Sequence, residues 1–160
     1  MNGALFALTL VTALGCGTVG GALFAFSAFV MKALRRLPAG EGIAAMQSIN
    51  VVAVTPAFMT AVFGTAAACV AVIVVALVAW DEPSTGYLLA GGALYLVGTI
   101  GVTMALNVPR NNALARLRPD SPDATGHWDR YVAEWTAWNH IRTAAAIAAA
   151  ALLTVALGLS

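Results

Sequence analysis

Charged side chains are scarce in this chain. They make up 9% of its 160 residues, while hydrophobic residues make up 61%; soluble domains average roughly 25% and 45–50%. A soluble fold with so little charge could not cover its own surface. The formal net charge is +1 and there is no basic run, which removes nucleic acid as a partner. Cysteine is nearly absent too. Cys16 and Cys69 both lie in apolar runs, so they offer neither a disulfide framework nor a CxxC-type metal spacing; they read as small buried hydrophobes. The two histidines, His127 and His140, are far apart, with no HxxxH or ExxH pair, and no carboxylate lies inside an apolar run. A di-iron or zinc site is therefore poorly supported. There is no glycine-rich phosphate loop after a strand, and no Ser-His-Asp arrangement is suggested. The opening residues, Met1 to Ala4, lack the basic stretch of a cleavable signal peptide. The apolar run after them is too long for such a peptide, so it reads as a retained first span.

What is present is apolar length. The chain fits a single domain, and four runs reach the roughly 20 residues needed to cross a hydrocarbon core: 3–31, 49–80, 87–106 and 143–159. The second is overlong and should tilt, protrude or bend. Pro56 is a cause for a bend, since it removes a backbone donor and clashes one turn back. Lys32, Arg35 and Arg36 follow the first span; Arg110, Arg116, Arg118, Arg130 and Arg142 lie between the third and fourth; the turn 81–86 has no Lys or Arg. All eight basic residues thus fall on one side. The positive-inside rule makes that side cytoplasmic, with loops 32–46 and 107–142 inside and both termini outside. Seven arginines to one lysine, with abundant alanine, suggest a GC-rich bacterial genome and hence a bacterial inner (cell) membrane. The fold expected is all-α: an up-down four-helix transmembrane bundle with short cytoplasmic-side helices near 40–47 and 110–117. Small residues permit close helix approach in lipid. Gly17 and Gly21 form a GxxxG pair beside Gly20, and Gly91, Gly92, Gly98 and Gly101 line the third span. Packing within one bundle and homo-oligomerisation through Gly17 and Gly21 are both open.

Polar residues at membrane depth cost free energy, so the places where they gather point to function. They gather at the cytoplasmic ends of the spans. Gln47 and Asn50 share a face at the start of the second run, as functional amides or as interfacial ones that cap the preceding loop. Asn107, Pro109, Asn111 and Asn112 close the third run. Pro109 disfavours helix at Val108, so this span should break there, with Asn107 as cap of a following short helix or as a site residue. In the segment from Trp128 into the fourth span, Trp128, Tyr131, Val132, Trp135, Trp138, Asn139 and Arg142 share one helical face. His140 lies a quarter-turn or more away, near Thr136. An interfacial aromatic belt with a snorkelling arginine would account for part of this stripe, but not for an Asn and an Arg in its middle.

The ordered set of motifs carries a resemblance. Phe24-Ala25-Phe26-Ser27 with Val30-Met31 comes first, then Met46-Gln47-Ser48-Ile49-Asn50. Asn107-Val108-Pro109 with Asn111 and Leu114 follows. Last come Trp128, Tyr131, Trp135 and the run Trp138-Asn139-His140-Ile141-Arg142-Thr143. Together, over nearly the whole chain, they resemble the anthrone oxygenase family of small integral membrane proteins. The resemblance implies oxidation of an anthrone-type ring CH to a ketone by O₂, with a hydrophobic aromatic small molecule and O₂ as partners in a membrane-lipid setting. Loss of the ring proton gives an electron-rich aromatic anion that reduces O₂ directly, so no cofactor is expected. The protein must then supply a base, donors for an oxyanion and a water-poor slot for a flat ring. His140, whose ordinary pKa lies near neutrality, is the candidate base. Arg142, Asn139, Asn50 and Gln47 are candidate donors. Trp135, Trp138 and Tyr131, with Asn107 and Asn111, are candidate substrate contacts. Two other readings stand beside this one: a non-catalytic small-molecule-binding or assembly subunit, and a haem protein ligated through His140.

Overall fold

The computed structural model describes residues 2–78, 80 and 83–159; Asp81 and Glu82, in the expected turn 81–86, lie outside the described residues. Every regular element described is helical. We number them α1 (Gly3–Leu34), α2 (Ala39–Val52), α3 (Pro56–Val78), α4 (Thr85–Ala115) and α5 (Ala124–Gly158). All but α2 are long and apolar enough to cross a membrane, so the chain is a four-span, multi-pass membrane protein. The 35 residues of α5 make a rod of about 52 Å, against a hydrocarbon core of about 30 Å. Its first turns therefore project beyond the core, with Trp128 and Tyr131 on them.

The spans alternate in direction. Asn139 and Thr143 of α5 meet Leu23 and Ser27 of α1, while Thr99 and Asn107 of α4 meet Arg142 and Trp135 of α5. Tyr95 of α4 donates to the Val62 carbonyl of α3 at 3.1 Å. This brings the end of α1, the start of α3, the end of α4 and the start of α5 to one end of the bundle, which also carries the basic residues. α5 packs along α1 and α4, and α3 packs against both of those. Close approach uses small residues. A Cβ on Gly98 would lie 2.5 Å from the Ala145 methyl, and one on Gly20 would lie 3.1 Å from Ile147. Gly17 and Gly21 are different: a Cβ on either would meet nothing within 4 Å. No described residue packs on their face of α1.

Three expectations about the helices change. Residues 49–52, expected to open the second span, finish α2 instead; the span starts at Pro56 after a full break. Pro56 has no N–H to donate backwards and disfavours helix at the residue before it. Thr55 is accordingly extended (φ −89°, ψ 150°), and its hydroxyl oxygen accepts from the Phe58 amide at 3.3 Å. Second, α4 does not break at Val108, which is helical (φ −60°, ψ −45°). The turns just before Pro109, Thr103–Asn107, are π-helical instead; the wider turn relieves the clash that a proline ring makes one α-turn back. The Arg110 guanidinium donates to the Leu106 carbonyl at 2.7 Å, which satisfies that group. Third, the short helix near 110–117 is the tail of α4 rather than a separate element.

Further π-helical turns occur at Phe26–Val30 in α1, Thr60–Gly64 in α3 and Leu94–Gly101 in α4. Such turns often mark functional sites. Two hydrophobic cores result. One runs between the spans around Cys16, Cys69, Tyr95 and Leu153; the other closes the basic end, where Met31, Ile43, Met46 and Leu114 pack on Trp128, Tyr131 and Trp135.

Candidate functional site

Where these two cores meet, the side chains are polar. Asn139 is fully buried. Its amide donates to the Leu23 carbonyl and to Ser27 Oγ, both at 2.8 Å, and its Oδ1 accepts from Arg142 Nη2 at 2.6 Å. Asn139 and Arg142 are three apart on a helix, so the bond is a local one. Arg142 is 6% exposed. Its Nη1 donates to Thr103 Oγ1 at 3.2 Å, and its guanidinium carbon sits 5.1 Å from the Trp135 ring centroid. The Thr103 hydroxyl donates to the Thr99 carbonyl, and the Thr99 hydroxyl to the Arg142 carbonyl. Nε of Arg142 has no acceptor among the described residues. Among the described residues the ion pairs are Arg110 with Glu134 and Arg118 with Asp120, both outside this layer. A charge buried without a partner costs several kcal/mol, which here falls to the neutral hydrogen bonds and the Trp135 face to offset.

One turn nearer the projecting end, Trp135 is a hub. Its carbonyl accepts from Asn107 at 3.2 Å, and its indole N–H donates to Asn111 Oδ1 at 2.8 Å. The Tyr131 hydroxyl donates to the same oxygen at 2.9 Å. Trp128, Tyr131 and Trp135 stack in series, with centroids 5.8 and 6.5 Å apart, and Phe26 leans on Trp135. Asn50 of α2 faces the Tyr131 hydroxyl. Two further buried polar atoms here, Asn107 Oδ1 and Trp128 Nε1, have no partner among the described residues. Buried polar atoms are nearly always paired, so these leave hydrogen-bonding capacity in the layer that the protein itself does not use. On the α3 side, Pro56–Met59 and Thr60–Gly64 bury no residue of their own.

The sequence-derived candidates divide into two groups. Arg142, Asn139, Trp135, Tyr131, Asn107 and Asn111 come together, with Asn50 at the rim. Asn107 is no cap: its side chain makes no capping bond and reaches α5 instead. Gln47 stands apart. Its amide donates to the Leu114 and Leu117 carbonyls at 2.9 and 3.0 Å, which ties α2 to the last turn of α4 and the turn that follows it. Trp138 is half-buried on the outer side, under Arg110. His140 is exposed on another face of α5, where it borders a groove of about 360 Å³ with Ser27, Lys32, Arg35 and Thr136. The two faces are linked, because Ser27 borders the groove and accepts from Asn139. Sequence reasoning missed Thr99, Thr103 and Ser27 as polar partners. Threonine and serine are unremarkable in an apolar helix; the only signal was the four-residue spacing of Thr99 and Thr103. Among the described residues no three His, Cys, Asp or Glu side chains come together.

Four antiparallel spans with an arginine buried in a layer of amides and hydroxyls at their basic end define a polytopic membrane protein with an intramembrane polar site. Residues 53–152 match the family model for anthrone oxygenase, and the chain belongs to that family. The match takes in Thr103, Asn107, Trp135, Asn139 and Arg142. No curated protein and no solved structure matches the chain.

Proposed function

We propose that this chain is an integral membrane oxygenase that oxidises an acidic ring CH of a polycyclic aromatic ketone with O₂, without a metal or organic cofactor. The observation that supports this is the buried Arg142, which has no carboxylate partner and an unspent N–H. Loss of a proton from an anthrone-type ring moves negative charge onto the ring oxygen, where a fixed cation and amide donors stabilise it best in a water-poor site. The anion passes one electron to O₂, the radical pair combines to a hydroperoxide, and loss of water gives the quinone. Overall a ring CH₂ and O₂ become C=O and H₂O. In this reading Arg142 and Asn50 meet the oxyanion, and Trp135 and Tyr131 form a wall for the flat ring. Asn139 holds Arg142 in place. The basic end faces the cytoplasm, and an apolar substrate and O₂ both arrive through lipid.

His140, the base candidate, borders the outer groove, so it can take the ring proton only from a substrate lying there. The test compares two variants. The purified protein in mild detergent should be free of metal and of a Soret band, and should consume O₂ when an anthrone is added. Uptake lost in Arg142→Gln and kept in His140→Ala supports the inner layer as the substrate site. The reverse result moves the chemistry to the groove, and a haem spectrum overturns the cofactor-free reading.

A further inference from the structure

We infer that the groove between α1 and α5 at the basic end holds one anionic glycerophospholipid, with its phosphate at Lys32 and Arg35 and its acyl chains along the exposed face of α5. This groove lies on a different face of α5 from the Arg142 layer, and the inference stands whether or not that layer is an oxygenase site.

The groove, about 360 Å³, is cationic at one end and apolar along its walls. Lys32 and Arg35 are three apart at the end of the first span, so they share a face, and both border the groove. Met31, Val132, Ala133 and Ala137 form its walls. The two helices are antiparallel, so the cations lie toward Val132 and Ala133, while Ser27 and His140 mark the end nearer the bundle centre. Beyond His140 the same face of α5 continues, at helical spacing, as Ala144, Ile147 and Ala151, all exposed. A cation pair above an apolar furrow matches a molecule with an anionic head and a hydrocarbon tail. A free phosphate would leave the walls and the furrow unused.

Cations at the end of a span are ordinary interfacial anchors; what sets these two apart is that their charge is uncompensated beside a cleft. Among the described residues the ion pairs are Arg110 with Glu134 and Arg118 with Asp120, so neither Lys32 nor Arg35 has one. No acid borders the groove. On α5, Glu134 is turned to Arg110, and Asp129 stands one turn beyond Ala133. A guanidinium grips two phosphate oxygens at once, and an ammonium adds a point charge. A zwitterionic head would bring its own cation into a groove without an acid, so a head of net negative charge is selected. Deeper in, His140 offers a ring N–H and Thr136 a hydroxyl. Thr12, Thr18, Thr103, Thr143 and Thr154 return their hydroxyls to the carbonyl four residues back. Thr136 does not, and its Oγ1 has no partner among the described residues. Glycerol ester oxygens, which only accept, suit both donors.

The test is native mass spectrometry of the full chain in mild detergent, after exposure to equal amounts of dioleoyl phosphatidylglycerol and dioleoyl phosphatidylcholine. The tails are the same, so the comparison reads the head alone. The expected result is a single retained phosphatidylglycerol, preferred by about tenfold through the two cations. Lys32→Gln with Arg35→Gln should abolish the preference. Arg116→Gln with Arg118→Gln, the same formal charge removed at the same end but away from the groove, should keep it. Ala137→Phe fills the groove without touching its charge and should reduce the retained lipid. Equal retention of the two lipids, a preference that survives Lys32→Gln with Arg35→Gln, or an equal fall in the Arg116 and Arg118 variant would overturn the inference. So would displacement by millimolar glycerol phosphate, which would make the groove a site for soluble anions, or displacement by an anthrone, which would give it to the oxygenase substrate.

Discussion

Arg142 should be nearly dispensable for stability, and Asn139 should not. An arginine at the centre of a membrane helix costs about 2.5–3.5 kcal/mol by insertion scales. Against this stand the 2.6 Å bond to Asn139, the 3.2 Å bond to Thr103 and the Trp135 face. A hydrogen bond to a charged group contributes about 1.5–3 kcal/mol, an ordinary interhelical one about 0.6 and the cation–π contact about 1. The two sides nearly cancel, so Arg142→Met should alter stability by no more than about 1 kcal/mol. Asn139→Leu removes the bonds to Leu23, Ser27 and Arg142 together and leaves the cation in place; the same magnitudes give a loss of roughly 3 kcal/mol. The double variant should recover much of that loss, with a coupling of about 2 kcal/mol, because no stranded charge remains. Reversible unfolding in mixed micelles, followed by tryptophan fluorescence, measures all four proteins. A loss above about 4 kcal/mol in Arg142→Met, or strict additivity in the double variant, would refute the reasoning, because the arginine would then be a structural centre.

Other perturbations test the surrounding parts. A methyl on Gly42 would lie 2.6 Å from the Trp128 indole, so Gly42→Ala should push α2 off α5 and cost about 1–3 kcal/mol in the same unfolding assay. Gln47→Leu should take the side-chain donor from the Leu114 and Leu117 carbonyls and loosen the turn after α4, seen as faster amide exchange and protease cleavage near residues 116–123 with the spans still protected. The thiols of Cys16 and Cys69 face each other across α1 and α3; a membrane-permeant oxidant should remove both from thiol labelling in the denatured chain, and Cys16→Ala should leave Cys69 fully labelled. Gly98→Val should destabilise the bundle through Ala145, whereas Gly17→Val and Gly21→Val should leave the single-chain fold intact. A drop in particle mass in those two variants alone would identify their face as a contact between copies.

The spans were legible because hydropathy over 20 residues is a coarse and robust quantity, and their alternation followed from loop charge. Proline effects were legible in position but not in form. Pro56 and Pro109 were both expected to perturb helices, yet one ends a helix and the other is absorbed. The difference lies in local structure: Thr55 caps a new start, while α4 takes Pro109 into a widened turn. The helical face of α5 foretold that Asn139, Arg142, Trp135 and Tyr131 would converge, and it also set His140 a quarter-turn away. Grouping His140 with them followed its titration chemistry rather than its face. Gln47 was out of reach of this reasoning, since its partners are backbone carbonyls 67 and 70 residues away, and a backbone group leaves no trace in the residue pattern.

Synthesis order gives the layer another significance. Ser27 and the Leu23 carbonyl meet Asn139 only 112 and 116 residues later in the chain, and Thr103 and Asn107 also wait for α5. The first three spans therefore enter the bilayer as apolar helices with a few idle hydroxyls and amides, well before the arginine is made. α5 then inserts into a receptive slot, and one helix docking closes the bonds that join the layer across helices together with the aromatic stack. A nascent chain stalled before that point carries an uncovered Ile43 and Met46 on α2 beside unspent polar groups, the kind of surface that membrane quality control removes. The candidate site is thus also the joint whose closure marks the chain as folded.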